Sequence, residues 1–200
     1  MPRGCLFGRF FLFLNATPSS SGYVIDTALI IANGLTWIVP IGLIIGWLRG
    51  SSRLRHALVA ATLSGLTGLL INQLIGLAWY HPRPFEAGIG HTLIQHVQDS
   101  SFPSDHLTLI WAVAFSLLMH EQVRLPGLAL ALVGLPVAWA RIYLGLHFPL
   151  DMFGAALVAL GSAWLVLSQE HYLITPLVRM LLRPYHTIFA GLISKGWVKQ

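Results

Sequence analysis

Residues 140–151 read Ala140-Arg141-Ile142-Tyr143-Leu144-Gly145-Leu146-His147-Phe148-Pro149-Leu150-Asp151, and they join two apolar runs, Leu125 to Trp139 and His147 to Leu167. An arginine, a histidine and an aspartate at the junction of two such runs decide the fold class. A bilayer core of about 30 Å needs about 20 apolar residues as helix, and ionisable groups at the edge of such runs are costly and usually functional. Working outward, similar runs fall at Val24 to Leu48, His56 to Tyr80 and Ser104 to Met119. The expectation is an all-α polytopic membrane helix bundle of about five transmembrane spans. The third and fourth runs are short for a crossing; they extend into flanking loops or sit where neighbouring helices shorten the path.

Composition agrees. Of 200 residues, 56% are hydrophobic and 10% charged, against about 25% charged in a soluble domain. This excludes a soluble chain and is read as one membrane-embedded domain over residues 1–200. The single cysteine, Cys5, permits no internal disulfide, and no Cys/His cluster has zinc spacing, so neither metal nor cofactor is expected. The formal charge of +5 comes from twelve Lys and Arg scattered among apolar runs, which is not the clustered patch of a nucleic-acid binder.

Both ends read as interfacial helices. The N-terminal run, Cys5 to Leu14, is too short for a span and lacks a cleavage site, and its Phe7, Phe10, Phe11 and Phe13 are expected at headgroup depth. The stretch Tyr172 to Gln200 mixes Leu and Ile with Arg179, Arg183, Lys195 and Lys199, which suits an interfacial amphipathic helix better than a sixth span. Eight positive residues (Arg49, Arg53, Arg55, Arg124, Arg179, Arg183, Lys195, Lys199) share one side, and four (Arg3, Arg9, Arg83, Arg141) the other. Because cytoplasmic loops carry the excess, the N-terminus and the loop His81 to Phe102 are expected to face away from the cytoplasm.

Three polar segments then converge on that extracytoplasmic face. They are His81-Pro82-Arg83-Pro84-Phe85, Ser101-Phe102-Pro103-Ser104-Asp105-His106, and the junction quoted above. Their order, and the Arg141, His147, Asp151 spacing, resemble the signature of the type 2 phosphatidic acid phosphatase superfamily over roughly residues 55–165. The wording is most similar to the bacterial undecaprenyl-diphosphatase branch. Three residues depart from the pattern: Gly76 stands where a lysine is usual, Asp105 replaces a glycine and Ala140 a serine. The first removes a phosphate-binding cation; the second puts an acid beside a phosphate.

The resemblance implies a metal-independent hydrolase in which His147 is the nucleophile, forming a phosphohistidine. Asp151, four residues on, would hold its tautomer from the same helix face if a helix begins here. Arg83 and Arg141 present planar forks for phosphate oxygens, Ser104 and the backbone after it offer a helix N-terminus to an anion, and His106 is the general acid. Asp105 joins the substrate-binding set as the residue of undecided role, acting as a helix cap, a repelling charge or a partner of His106, or else turning away from the phosphate. Alternatives read from the residues alone are snorkelling arginines, a simple cap at Ser104 and interfacial histidines. Asn72 and Gln73 are read as packing amides, the alternative being that either helps where the lysine is missing, and His81, Glu86, His91, His96 and Asp99 as ordinary loop polarity. The resemblance further implies undecaprenyl diphosphate as substrate, among membrane lipids in a bacterial inner membrane, with carrier-lipid recycling and bacitracin resistance as consequences. No protein partner is assigned. Rival activities are hydrolysis of phosphatidylglycerophosphate or phosphatidic acid, phosphate transfer to lipid A and, from another class, a small transporter. A transporter, however, is expected to carry its charges near the midplane.

Overall fold

The structure, a computed structural model, describes residues 6–94 and 96–199. Arg3, Cys5, Gln200 and the side chain of Phe7 lie outside the described residues. The architecture is all-helical: α1 (Leu6–Leu14), α2 (Gly22–Gly34), α3 (Ile38–Arg49), α4 (Ser52–Ala78), α5 (Asp105–Leu118), α6 (Arg124–Tyr143), α7 (Pro149–Ser168), α8 (Thr175–Ile188) and α9 (Ala190–Ser194). Among the described residues, four segments are long and apolar enough to cross a membrane: Gly22–Arg49, Ser52–Ala78, Glu121–Tyr143 and Pro149–Ser168. The remaining expected span, Ser104 to Met119, is the shorter apolar helix α5.

The bundle packs with small residues inward. Along α4 the buried positions include Ala57, Ala61, Ser64, Gly68 and Asn72, and along α7 they include Ala155, Ala159 and Ala163. The large residues of the same helices, Leu66, Leu70, Phe153, Leu157 and Trp164, are exposed. Lipid chains are as apolar as leucine, so helices gain by close backbone approach rather than by hiding large side chains. These narrow faces let α4, α6 and α7 all close on α5. At 14 residues, α5 spans only about 21 Å. Its shortness is tolerated because Leu107, Ile110 and Val113 are covered by protein.

Two expectations are adjusted. The first span is two helices joined by a 3₁₀ turn, Leu35–Trp37. Pro40 cannot donate to the carbonyl of Thr36, so the ladder breaks there. The fourth span is not short: the helix runs from Arg124 through Arg141 to Tyr143, with Pro136 accommodated inside it, as membrane helices allow.

At the termini α1 is only partly interfacial. Phe10 and Phe13 are exposed, but Phe11 is fully buried, its ring 5.2 Å from that of Phe148. α8, also 14 residues, lies against α4 and is anchored by Val178 and Tyr185, consistent with an amphipathic helix that does not cross.

The loop from Trp79 to Ser104 is stapled down. Asn15 Nδ2 donates to the carbonyls of His91 (2.9 Å) and Tyr143 (3.0 Å), and Asn15 Oδ1 accepts from His91 N–H at 2.7 Å. Leu93 N–H donates to Leu144 O at 3.2 Å. Gly145, at φ +78°, turns the chain between α6 and α7 so closely that a Cβ would lie 2.2 Å from His91 O. Only glycine fits.

Candidate active site

His147 sits just outside α7, not on its first turn. Phe148 is the N-cap in an extended conformation and Pro149 occupies the first turn, because a residue before proline avoids helical geometry. The expected pairing with Asp151 is nevertheless made across this cap. Asp151, fully buried, accepts at Oδ2 from Phe148 N–H (2.8 Å), from His147 Nδ1 (3.2 Å) and from the Ser101 hydroxyl. His147 Nδ1 also faces Ser101 O at 3.0 Å. Two acceptors on one side require the ring proton at Nδ1, which leaves the Nε2 lone pair on the other. Burial first, and then the charges of Arg141 and Arg83, push the His147 imidazole well below its ordinary value; it is a neutral base.

Arg83 Nη1 lies 3.1 Å from that lone pair and donates also to Leu146 O at 3.0 Å. Its orientation is held from the loop. Nε donates to Asp99 at 2.7 Å, and the backbone N–H of Arg83 donates to Glu86 at 2.9 Å. The Tyr80 hydroxyl holds Glu86 in turn, and His96 lies 3.7 Å from Asp99.

Arg141, 2% exposed, projects from the last turn of α6. Its single bond among the described residues is Nη1 to Ala32 O at 3.4 Å, and its buried Nε has no partner. Ser104, fully buried, is the N-cap of α5, but its hydroxyl makes no capping bond and no other hydrogen bond. Its N–H donates to Asp151 O at 3.4 Å, which ties the start of α5 to α7. His106 follows, half-buried, within the field of Arg141, His147 and Arg83. Asp105 turns to α4, accepting from Asn72 at 2.8 Å and Gln73 at 3.3 Å. The ring of Phe102 rests where Gly154 leaves room on α7.

A lone-pair nitrogen against one buried guanidinium group and within the field of a second, with buried donors that lack an acceptor, is a receptacle for an anion with an electrophilic centre. The PAP2 superfamily profile matches residues 54–175, which span all three segments. The chain belongs to the PAP2 superfamily. It is 33% identical over 195 residues to the putative undecaprenyl-diphosphatase YbjG of Escherichia coli (strain K12), covering 94% of this chain and 95% of that one. It is 39% identical over 149 residues to the undecaprenyl-diphosphatase BcrC of Bacillus subtilis (strain 168), covering 74% and 76%. Among solved structures, Aquifex aeolicus LpxE shares the fold, with a TM-score of 0.65 at 21% identity over 80% of this chain and 93% of that one. The protein is thus a multi-pass membrane phosphatase of the PAP2 superfamily.

All seven residues singled out from the sequence stand at one end of this PAP2 bundle, on the loop, at the start of α5, at the end of α6, in the turn that follows it and on the first turn of α7. Sequence reasoning missed their supports. Ser101 holds Asp151 and His147, Asp99 and Glu86 hold Arg83, and Asn72 and Gln73 hold Asp105. Ser101 was within the quoted second segment, and Asn72 was a buried amide in a span, so each carried a signal. Asp99 carried none, because a carboxylate in a polar loop is unremarkable until its partner is known.

Proposed function

We propose that the chain hydrolyses the terminal phosphate of undecaprenyl diphosphate, releasing inorganic phosphate and the monophosphate carrier. The observation that carries this reading is the pair of buried, unmet donors, Arg141 Nε and Ser104 Oγ, at the same end of the bundle as a neutral His147 Nε2. The names of YbjG and BcrC support the diphosphate over other lipids. In the first step His147 Nε2 attacks the terminal phosphorus, and the bond to the bridging oxygen breaks. His106, whose protonated form the negative charge of the bound phosphate favours against the field of the arginines, gives its proton to the leaving monophosphate, while Arg83, Arg141 and Ser104 neutralise the equatorial oxygens. Asp151 and Ser101 O stabilise the charge that develops on the imidazole. Water, deprotonated by His106, then cleaves the N–P bond and restores His147. No step uses a metal.

The positive-residue count supports a site on the extracytoplasmic side, which we take to be that of a bacterial inner membrane, with residues 1–200 acting as one domain. The deciding experiment is phosphate release by purified protein, in chelator, from undecaprenyl diphosphate, phosphatidic acid, phosphatidylglycerophosphate and lipid A. The diphosphate is expected to be fastest, with vanadate competing. Preference for a glycerolipid phosphate, or activity restored only by divalent metal, would overturn the reading.

A further inference from the structure

Asp105 departs from the usual glycine and stands between two residues assigned to the site, Ser104 and His106. It opens α5, where the first N–H groups of a helix have no acceptor within it and the dipole favours negative charge. A free carboxylate here would turn back on those N–H groups and compete with a phosphate for them. It does not do so, because both oxygens are taken by α4. Asn72 Nδ2 donates to Oδ1 at 2.8 Å and Gln73 Nε2 to Oδ2 at 3.3 Å. Asn72 is buried, and its Nδ2 also reaches Thr108 Oγ1 at 3.0 Å, which pins the amide to α5. Ser104 Oγ meanwhile keeps no partner. One turn further along α4, Gly76 faces Ser100, with a Cβ there only 3.2 Å from Ser100 Cβ. A lysine at this position would need Ser100 to give way by a few tenths of an ångström.

We propose that Asn72, assisted by Gln73, is a positioning residue that holds the Asp105 carboxylate against α4 and so keeps Ser104 and the first turn of α5 open to the substrate phosphate. This rests on reading the site as a phosphate centre. The missing lysine and the added acid are then one feature, in which amides on α4 neutralise by hydrogen bonding what the helix start would otherwise turn against the substrate.

The test is a mutant cycle on the full chain in detergent, with farnesyl diphosphate as the probe and kcat and KM measured separately. Asn72→Ala is expected to raise KM about two- to five-fold, the span of a helix-terminus charge effect, with kcat unchanged. Asp105→Asn in the same background should return KM to the value of Asp105→Asn alone. The exposed Gln73→Ala should show a smaller rise with the same rescue, and it decides the matter if Asn72→Ala does not fold. A loss of kcat or thermal stability that Asp105→Asn leaves unrescued, or an unchanged KM in both variants, would make the amides mere packing and overturn the inference. Failure of the unaltered protein to release phosphate from farnesyl diphosphate or any lipid phosphate would instead sink the phosphate-centre reading.

Discussion

Two arginines are buried at opposite ends of this bundle, and they are treated differently. Arg55, near the start of α4, is fully buried. Its Nε donates to Trp47 O at 3.0 Å, and its Nη2 to the Tyr185 hydroxyl at 2.8 Å and Lys199 O at 2.6 Å. Its guanidinium lies 4.2 Å from the Tyr185 ring centroid, and only Nη1 lacks a partner. Arg141 has one long bond and an unmet Nε, and shares its surroundings with Arg83 and a neutral histidine. Burial therefore does not mark function. Arg55 has spent its donors on carbonyls and aromatic faces and so fastens the C-terminal segment to the bundle. Arg141 is held with donors in reserve beside a like charge, an arrangement that costs stability unless an anion relieves it.

The comparison breaks most sharply under mutation. Arg141→Gln is expected to lower kcat/KM by about 10²–10³-fold, the scale of one transition-state donor, with little change in detergent melting temperature. Arg55→Met should do the reverse, losing about 2–4 kcal/mol of stability with its hydrogen bonds while KM stays within about two-fold of the parent. Melting curves and kinetics on both variants check this; exchanged outcomes would mean that the two ends have been misread.

The pH profile sharpens the same contrast. His147 is pushed below its ordinary value, so its reactive neutral form persists as pH falls, and the acid limb it sets in kcat/KM should lie below about 6.5. Arg141→Gln removes one of the charges responsible and should move that limb upward. Arg55→Met should leave it in place, and a limb unmoved by Arg141→Gln would separate Arg141 from the nucleophile.

Smaller effects are expected at the supports. Asp99→Asn loosens the orientation of Arg83 and should raise KM by roughly three- to ten-fold, the value of a charge-assisted bond at a partly exposed site. Asn15→Ala removes the clasp on the loop and should cost about 1–2 kcal/mol and lower kcat modestly. For topology, Val97→Cys and Ser52→Cys in a Cys5→Ser background are suitable probes, since both positions are exposed. An impermeant thiol reagent should label only Val97→Cys in intact cells.

These supports also mark where the sequence stopped being legible. The spans, and the three segments at alternate span ends, were readable because hydrophobic run length and motif spacing are local. The break at Leu35–Trp37 was signalled by Pro40 inside the run Val24 to Leu48, but the length of an apolar run does not register a break in its hydrogen-bond ladder. The pairings of Asn72 with Asp105, Ser101 with Asp151, Arg83 with Asp99 and Asn15 with His91 join residues far apart in the chain or on a loop without periodicity. Nothing in the identity of either partner announces the other. Arg55 was counted among the charges that set orientation, and only the packing of Tyr185 and Lys199 around it reveals an anchor.

The most direct test of the account is to trap the covalent intermediate. The purified protein, mixed briefly with an isoprenyl diphosphate labelled in its terminal phosphate and quenched in base, should carry acid-labile label on the peptide containing His147. The label should be absent in His147→Ala, whose phosphate release should fall by at least about 10³-fold. Label on another residue, or substantial turnover by His147→Ala, would contradict the assignment of His147 as the nucleophile.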